Sequence, residues 1–187
     1  MSLLSEMKEE FKSYANSMIN DIPHDVYVVM LIIFSVGSVM AFVMKGPSKG
    51  LRWLLGTLLM EYTFLLFCSM VIYRKVNENV GYDFHPFWSY KAILEGRNEL
   101  IGENIMNAVV FVPVGLLFAI LMSRKSQKDW LVAIMVGAGM SLTIEALQFF
   151  LHRGFAEVDD VMHNALGALI GYIMYRMGYI LWLKKEF

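Results

Sequence analysis

A chain of 187 residues with 57% hydrophobic and only 18% charged residues, and a mean hydropathy of +0.52, has the composition of a membrane protein rather than of a soluble domain. Its net charge of -1 and the lack of a basic patch exclude nucleic acid as a partner. A lone cysteine, Cys68, excludes both a disulfide framework and a cysteine-ligated metal cluster. The apolar residues come in long blocks, so the expected fold is an all-α integral membrane protein with membrane lipids around it.

Residues 1–25 form an N-terminal segment of their own. Leu4, Met7, Phe11, Tyr14, Met18 and Ile22 recur there at helical spacing among Glu6, Lys8, Glu9, Glu10 and Lys12. The pattern predicts an amphipathic helix, lying on a membrane surface or packed on another part of the protein. Residues 26–187 form the transmembrane domain. About 20 mainly apolar residues cross the hydrocarbon, and about five spans fit: Val26 to Met44, Leu51 to Tyr73, Ile101 to Met122, Trp130 to Leu151, and Val161 to Leu183. The first is expected to stay in the protein, because a polar stretch precedes it and no small-residue cleavage site follows. Cys68 lies inside the second and reads as core packing.

Basic residues set the orientation, since short cytoplasmic loops are enriched in them. Lys45, Lys49 and Arg52 mark the first turn, and Arg124, Lys125 and Lys128 mark the turn after the third span. Both turns are expected inside, as is the tail with Lys184 and Lys185. The N-terminus, the segment from Arg74 to Leu100 and the loop around Arg153 then face outward, with Arg74 and Lys75 running against the trend.

This topology brings the polar residues of the last three spans to one face. Glu145, Gln148 and His152 share a stripe at the outer end of the fourth span. Asp160, Asn164, Gly167 and Gly171 make a second stripe on the fifth, with Asp159 and His163 one step around. Glu103, Asn104 and Asn107 open the third at the same level. The small residues Ala133, Gly137 and Ser141, and the Gly167-x-x-x-Gly171 pair, allow close helix approach. Pro113 removes one helical hydrogen bond below Asn107 and is expected to kink the third span.

The order Asn104-x-x-Asn107-x-x-x-Phe111-x-Pro113-x-Gly115, then Glu145-x-x-Gln148, then Arg153 and Asp159-Asp160-x-x-x-Asn164-x-x-Gly167-x-x-x-Gly171 resembles the VanZ-like membrane protein family. The matched region is about 83–172, and His85-Pro86-Phe87 is similar to the proline-phenylalanine motif that precedes the third span in that family. The resemblance implies a multi-pass protein of the bacterial plasma membrane, associated with glycopeptide (teicoplanin-type) antibiotic resistance at the cell envelope. It implies no particular reaction.

The polar face admits three uses. One is recognition of a cell-envelope lipid, a lipid-linked wall precursor or a lipoglycopeptide, with Asn107, Gln148, Arg153 and Asn164 as ligand-binding residues. Arg153 offers a forked cation to phosphate or carboxylate, and Tyr82, Phe84, Phe87, Trp88 and Tyr90 supply an interfacial platform. A second is catalysis, with Glu145, Asp159, Asp160 and His163 as acid, base or cation ligands. No catalytic signature such as His-Glu-x-x-His or Gly-x-Ser-x-Gly accompanies them, and Asp159 and Asp160 equally suit capping of the fifth span or pairing with Arg153. The third use is transport through an oligomer, for which Glu61, alone within the second span, is the candidate.

Overall fold

The computed structural model describes residues 5, 8–9, 12, 16, 22–76, 81–122, 126 and 128–183. Leu4, Met7, Phe11, Tyr14 and Met18 of the expected amphipathic helix lie outside the described residues, as do Arg124, Lys125, Lys184, Lys185 and the side chains of Lys45 and Lys49. Ile22 is described. It is buried and packs with Met30 and Cys68.

The elements run α1 (His24–Phe67), continued by a π-helical turn (Cys68–Ile72), then β1 (Gly81–Asp83), α2 (Trp88–Leu94), α3 (Glu99–Leu121), α4 (Asp129–Phe150), β2 (Phe155–Glu157) and α5 (Val158–Leu183). The fold is thus helical, with one addition that hydropathy does not reveal. Among the described residues β1 and β2 pair in parallel, placing Gly81 opposite Phe155, Tyr82 opposite Ala156 and Asp83 opposite Glu157. Three helical segments, Gly50–Ile72, Glu99–Leu121 and Asp129–Phe150, are long and apolar enough to cross a membrane, and His24–Met40 is a shorter apolar helix. α5 is as long as these, but Asp159, Asp160, His163 and Asn164 make its first turns polar.

α1 is not one rod. Ser38 and Thr57 stand 19 residues apart, about 28 Å on a straight helix, and their hydroxyls hydrogen-bond to each other. A Cβ on Gly50 would lie 3.0 Å from the Phe42 Cα. α1 therefore doubles back as a hairpin, and its two arms correspond to the first two expected spans. The hairpin's tip lies beside the far end of α3, where the Arg52 guanidinium donates to the Leu121 carbonyl at 3.0 Å.

α5 lies between α3 and α4, and its contact with α3 is the most extensive in the molecule. The closeness has a sequence cause: a Cβ on Gly167 would stand 1.9 Å from the Ala108 carbonyl oxygen, and one on Gly115 at the same distance from that of Ala168. Any side chain at either position would force the backbones apart. On the other side of α5, Gly137 of α4 faces Ala165 and Ala168. α3 runs through Pro113 without interruption. One turn before the proline the Tyr62 hydroxyl donates to the Val110 carbonyl at 2.6 Å, binding the second arm of α1 to α3. The main core, with Leu66, Val71, Phe111, Val114 and Ile144, fills the space between that arm, α3 and α4.

Candidate functional site

The polar residues gather where α1 ends, α3 begins, α4 ends and α5 begins. Their neighbours divide them into two sets. One set is bonded into the fold, with the Asn164 Oδ1 left buried and without a partner.

Asp159 belongs to that set. It is fully buried, and its carboxylate accepts from the Phe87 amide at 2.6 Å, the Ser89 amide at 2.9 Å and the Ser89 hydroxyl at 2.6 Å. These amides open α2, so Asp159 caps a helix far from it in sequence. Phe87, in the left-handed region at φ 66°, makes the turn that presents them. The Asn104 side-chain amide donates to the Ser89 hydroxyl at 3.1 Å and joins α3 to the same knot. Gln148 is buried and donates to the Met70 carbonyl at 3.0 Å, within the π-helical turn whose altered register leaves carbonyls to be satisfied. Arg153 serves the adjacent chain: its guanidinium donates to the Ile72 carbonyl and, at 2.9 Å, to that of Arg74. Asn164 donates to the Ser141 hydroxyl at 2.7 Å, linking α5 to α4.

The second set is less committed. Glu145, buried near the end of α4, accepts from the Glu157 amide at 3.1 Å. Asp160 accepts from the Asn107 side-chain amide at 2.6 Å, across the α3–α5 seam. Glu157 sits at the end of β2, and burial first, then the charges of Asp160, Glu103, Asp159 and Asp83, push its carboxyl up to about 8. It keeps its proton at neutral pH and can donate a hydrogen bond. Arg74 acts electrostatically on both Glu145 and Asp160. Its guanidinium lies over Gly154, where a Cβ would come within 3.2 Å of it and 3.0 Å of the Gln148 side-chain oxygen. A small residue at 154 is what lets the arginine reach in. Glu61, on the second arm of α1, is not among the groups that act on this cluster.

His163 is buried in the first turns of α5 and shares a hydrogen bond of 2.9 Å with the Tyr90 hydroxyl through Nε2. Its Nδ1 is buried without a hydrogen-bond partner, whereas the Asp159 carboxylate is taken up by α2. Among the described residues no three His, Cys, Asp or Glu side chains are grouped to hold a metal ion. His152 leaves the Glu145 stripe: α4 has ended before it, and it stands exposed in a left-handed turn at φ 56°. The aromatics of the β1–α2 region are exposed and paired, Tyr82 stacking on Phe84 at 4.9 Å and Phe87 meeting Tyr90 edge-on at 6.0 Å. Asp83, beside them, is held below the usual carboxylate range by the His85 amide and ring, both 2.8 Å away.

The VanZ/LLP1 family model matches residues 26–182, a range that includes all of these polar positions and the small-residue seam. The chain belongs to the VanZ/LLP1 family. The match extends beyond the 83–172 region that carries the motifs, so the α1 hairpin is part of the VanZ/LLP1 unit. Comparison with curated proteins and with solved structures found no match to the chain.

Two residues of these two sets carry no clear mark in the sequence. Arg74 reads there only as an exception to the charge rule, and a cation at the end of an apolar span is the signal that could have marked it. Ser89 carries no signal, because its importance comes from a partner 70 residues away.

Proposed function

We propose that this VanZ-like protein is a multi-pass protein of the bacterial plasma membrane whose cluster of Glu145, Glu157, Asp160 and Arg74 faces outward. It recognises or modifies a cell-envelope lipid or lipid-linked wall precursor, and thereby contributes to teicoplanin-type resistance. The observation that carries this reading is the placement of four ionisable groups from two helices, β2 and the chain after α1 at one end of apolar helices, where the buried or half-buried Glu145, Glu157 and Asp160 cost free energy to keep from water. The fold uses Asp159, Gln148, Arg153 and Asn164 for its own bonds. It does not account for the cluster in the same way.

Orientation with the N-terminus outside and the C-terminus inside is supported by the hairpin. Its tip lies beside the end of α3 opposite the cluster, and the sequence around both the tip and the segment that follows α3 is rich in lysine and arginine. The chemistry of the cluster favours a ligand rich in hydroxyl or amine groups. Arg74 supplies a forked cation, and Glu157 adds a neutral donor.

A second reading, acid–base chemistry on that ligand, is favoured by one observation: Glu157 holds a proton near neutral pH beside two further acidic side chains, Glu145 and Asp160. The same strains test both readings. In a sensitive host, expression of the wild type is expected to raise tolerance to teicoplanin, and Glu145→Gln and Asp160→Asn at equal abundance are expected to abolish the gain. Tolerance unaffected by either substitution would remove the cluster from function. Envelope lipid and precursor profiles that are identical with and without the protein would remove the enzymatic reading alone.

A further inference from the structure

Beside the cluster, α2, α3 and α5 enclose a groove of about 380 Å³, within the range of about 300–1,000 Å³ typical of small-ligand sites. Its wall is divided. Tyr90, Asn104 and His163 form a polar edge, while Ile101, Ile105 and Leu166 are among the residues that make the remainder apolar. Ile105 and Leu166 are also exposed on the outside of their helices, at 38% and 48%. The groove therefore opens sideways, onto the surface that apolar helices turn toward a bilayer.

The polar edge and the cluster are neighbouring faces of the same two helices. On α3, Asn104 borders the groove and Asn107, one turn on, reaches Asp160. On α5, His163 borders the groove one turn after Asp160. An amphiphile entering from the side would thus meet an apolar trough, then hydroxyl, amide and imidazole groups, then the charged cluster.

We infer that this groove takes one acyl chain of a glycerophospholipid, with the Tyr90–His163 pair and Asn104 at the level of its ester groups. The inference rests on the lipid-recognition reading above and narrows it, naming a bilayer lipid over a lipid-linked wall precursor. The polar edge decides between them: neutral donors stand between trough and cluster, at the level where a glycerophospholipid has its esters, whereas in a polyprenyl phosphate the apolar chain joins the phosphate directly. A buried imidazole and a hydroxyl beside an apolar trough also match the carbonyl acceptors of an ester, which in hydrocarbon need donors.

The test uses the full chain in phosphatidylglycerol nanodiscs doped with a phospholipid that carries a diazirine near the end of one acyl chain. After irradiation, peptide mass spectrometry reads the labelled residues. Label is expected to concentrate several-fold on Ile101, Ile105 and Leu166 over Val29 and Val39, which are exposed on α1 at 54% and 63%. Ile105→Trp and, independently, the half-exposed Leu166→Trp are expected to fill the trough and reduce that label several-fold. Equal labelling of the groove and of α1, or groove label that neither tryptophan lowers, overturns the inference. Loss of groove label on adding polyprenyl phosphate overturns the acyl-chain assignment in favour of an isoprenoid. An unlabelled groove in a protein whose tolerance still depends on Glu145 rejects the groove alone. A labelled groove in a protein whose tolerance ignores Glu145 and Asp160 rejects the cluster's role and leaves the groove standing.

Discussion

Asp159 and Asp160 are adjacent in sequence, and the structure puts them in different regions with different duties. Asp159 turns toward α2, where three hydrogen bonds from Phe87 and Ser89 surround it. Asp160 turns toward α3 and accepts one, from Asn107, among the charges of Glu103 and Arg74. Successive residues on a helix point about 100° apart, so a doublet at a seam between two neighbours serves both. The first region is a joint, in which the Asp159 carboxylate is fully bonded. The second crowds several ionisable side chains together with few hydrogen bonds between them, which marks it as a candidate functional surface.

The sharpest way to break this comparison is to remove each carboxylate in turn. Asp159→Ala is expected to cost about 3 kcal/mol or more, because hydrogen bonds to a charged group contribute about 1.5–3 kcal/mol each and the freed amides stay buried. It should appear as low abundance and an early melting transition in detergent. Asp160→Asn keeps the shape and one acceptor, so a shift of under about 1 kcal/mol is expected. Equal destabilisation by the two would erase the distinction between joint and cluster.

Next in size is the seam that supports both regions. Gly167→Val sets a side chain against the Ala108 carbonyl, where even a Cβ would stand at 1.9 Å. A loss of about 1–3 kcal/mol is expected, again read as melting temperature. A variant as stable as wild type would mean that α3 and α5 can separate without harm.

The smallest effect sharpens the cluster itself. The folded protein holds the Glu157 carboxyl up at about 8, above its unfolded value of about 4.3. The folded state therefore binds more protons than the unfolded state between those two values. Stability from this residue is fully present below about 4.3 and declines as pH rises toward about 8. Glu157→Gln should flatten the decline in melting temperature across that window. An unchanged slope would mean that Glu157 ionises freely in the fold.

Much of this arrangement is legible in the residues. The Glu145–Gln148 stripe does share a face, both side chains being buried at the end of α4, and Asn107 does meet the start of α5. The glycines at 167 and 171 do mark a close approach, which falls on α3. Helix phase accounts for each of these, because phase is set by the local chain. It does not give rotation about a neighbour. Arg153 was thus a candidate for binding a ligand, and it binds the backbone at Ile72 and Arg74. His152 belonged to the stripe by count and leaves it because the helix ends first. The pairing of Asp83 with Glu157 joins two short strands that no periodicity connects.

By itself, then, the sequence determined the helical class, the apolar segments, the family and the end of the bundle where polar residues collect. All of these follow from hydropathy, spacing and local backbone preference, which act over a few residues. The tertiary structure decided which polar groups are spent. It turned Asp159 into a cap, Arg153 into a brace and Arg74 into the cation of the cluster, because a hydrogen bond depends on partners that only folding brings within about 3 Å.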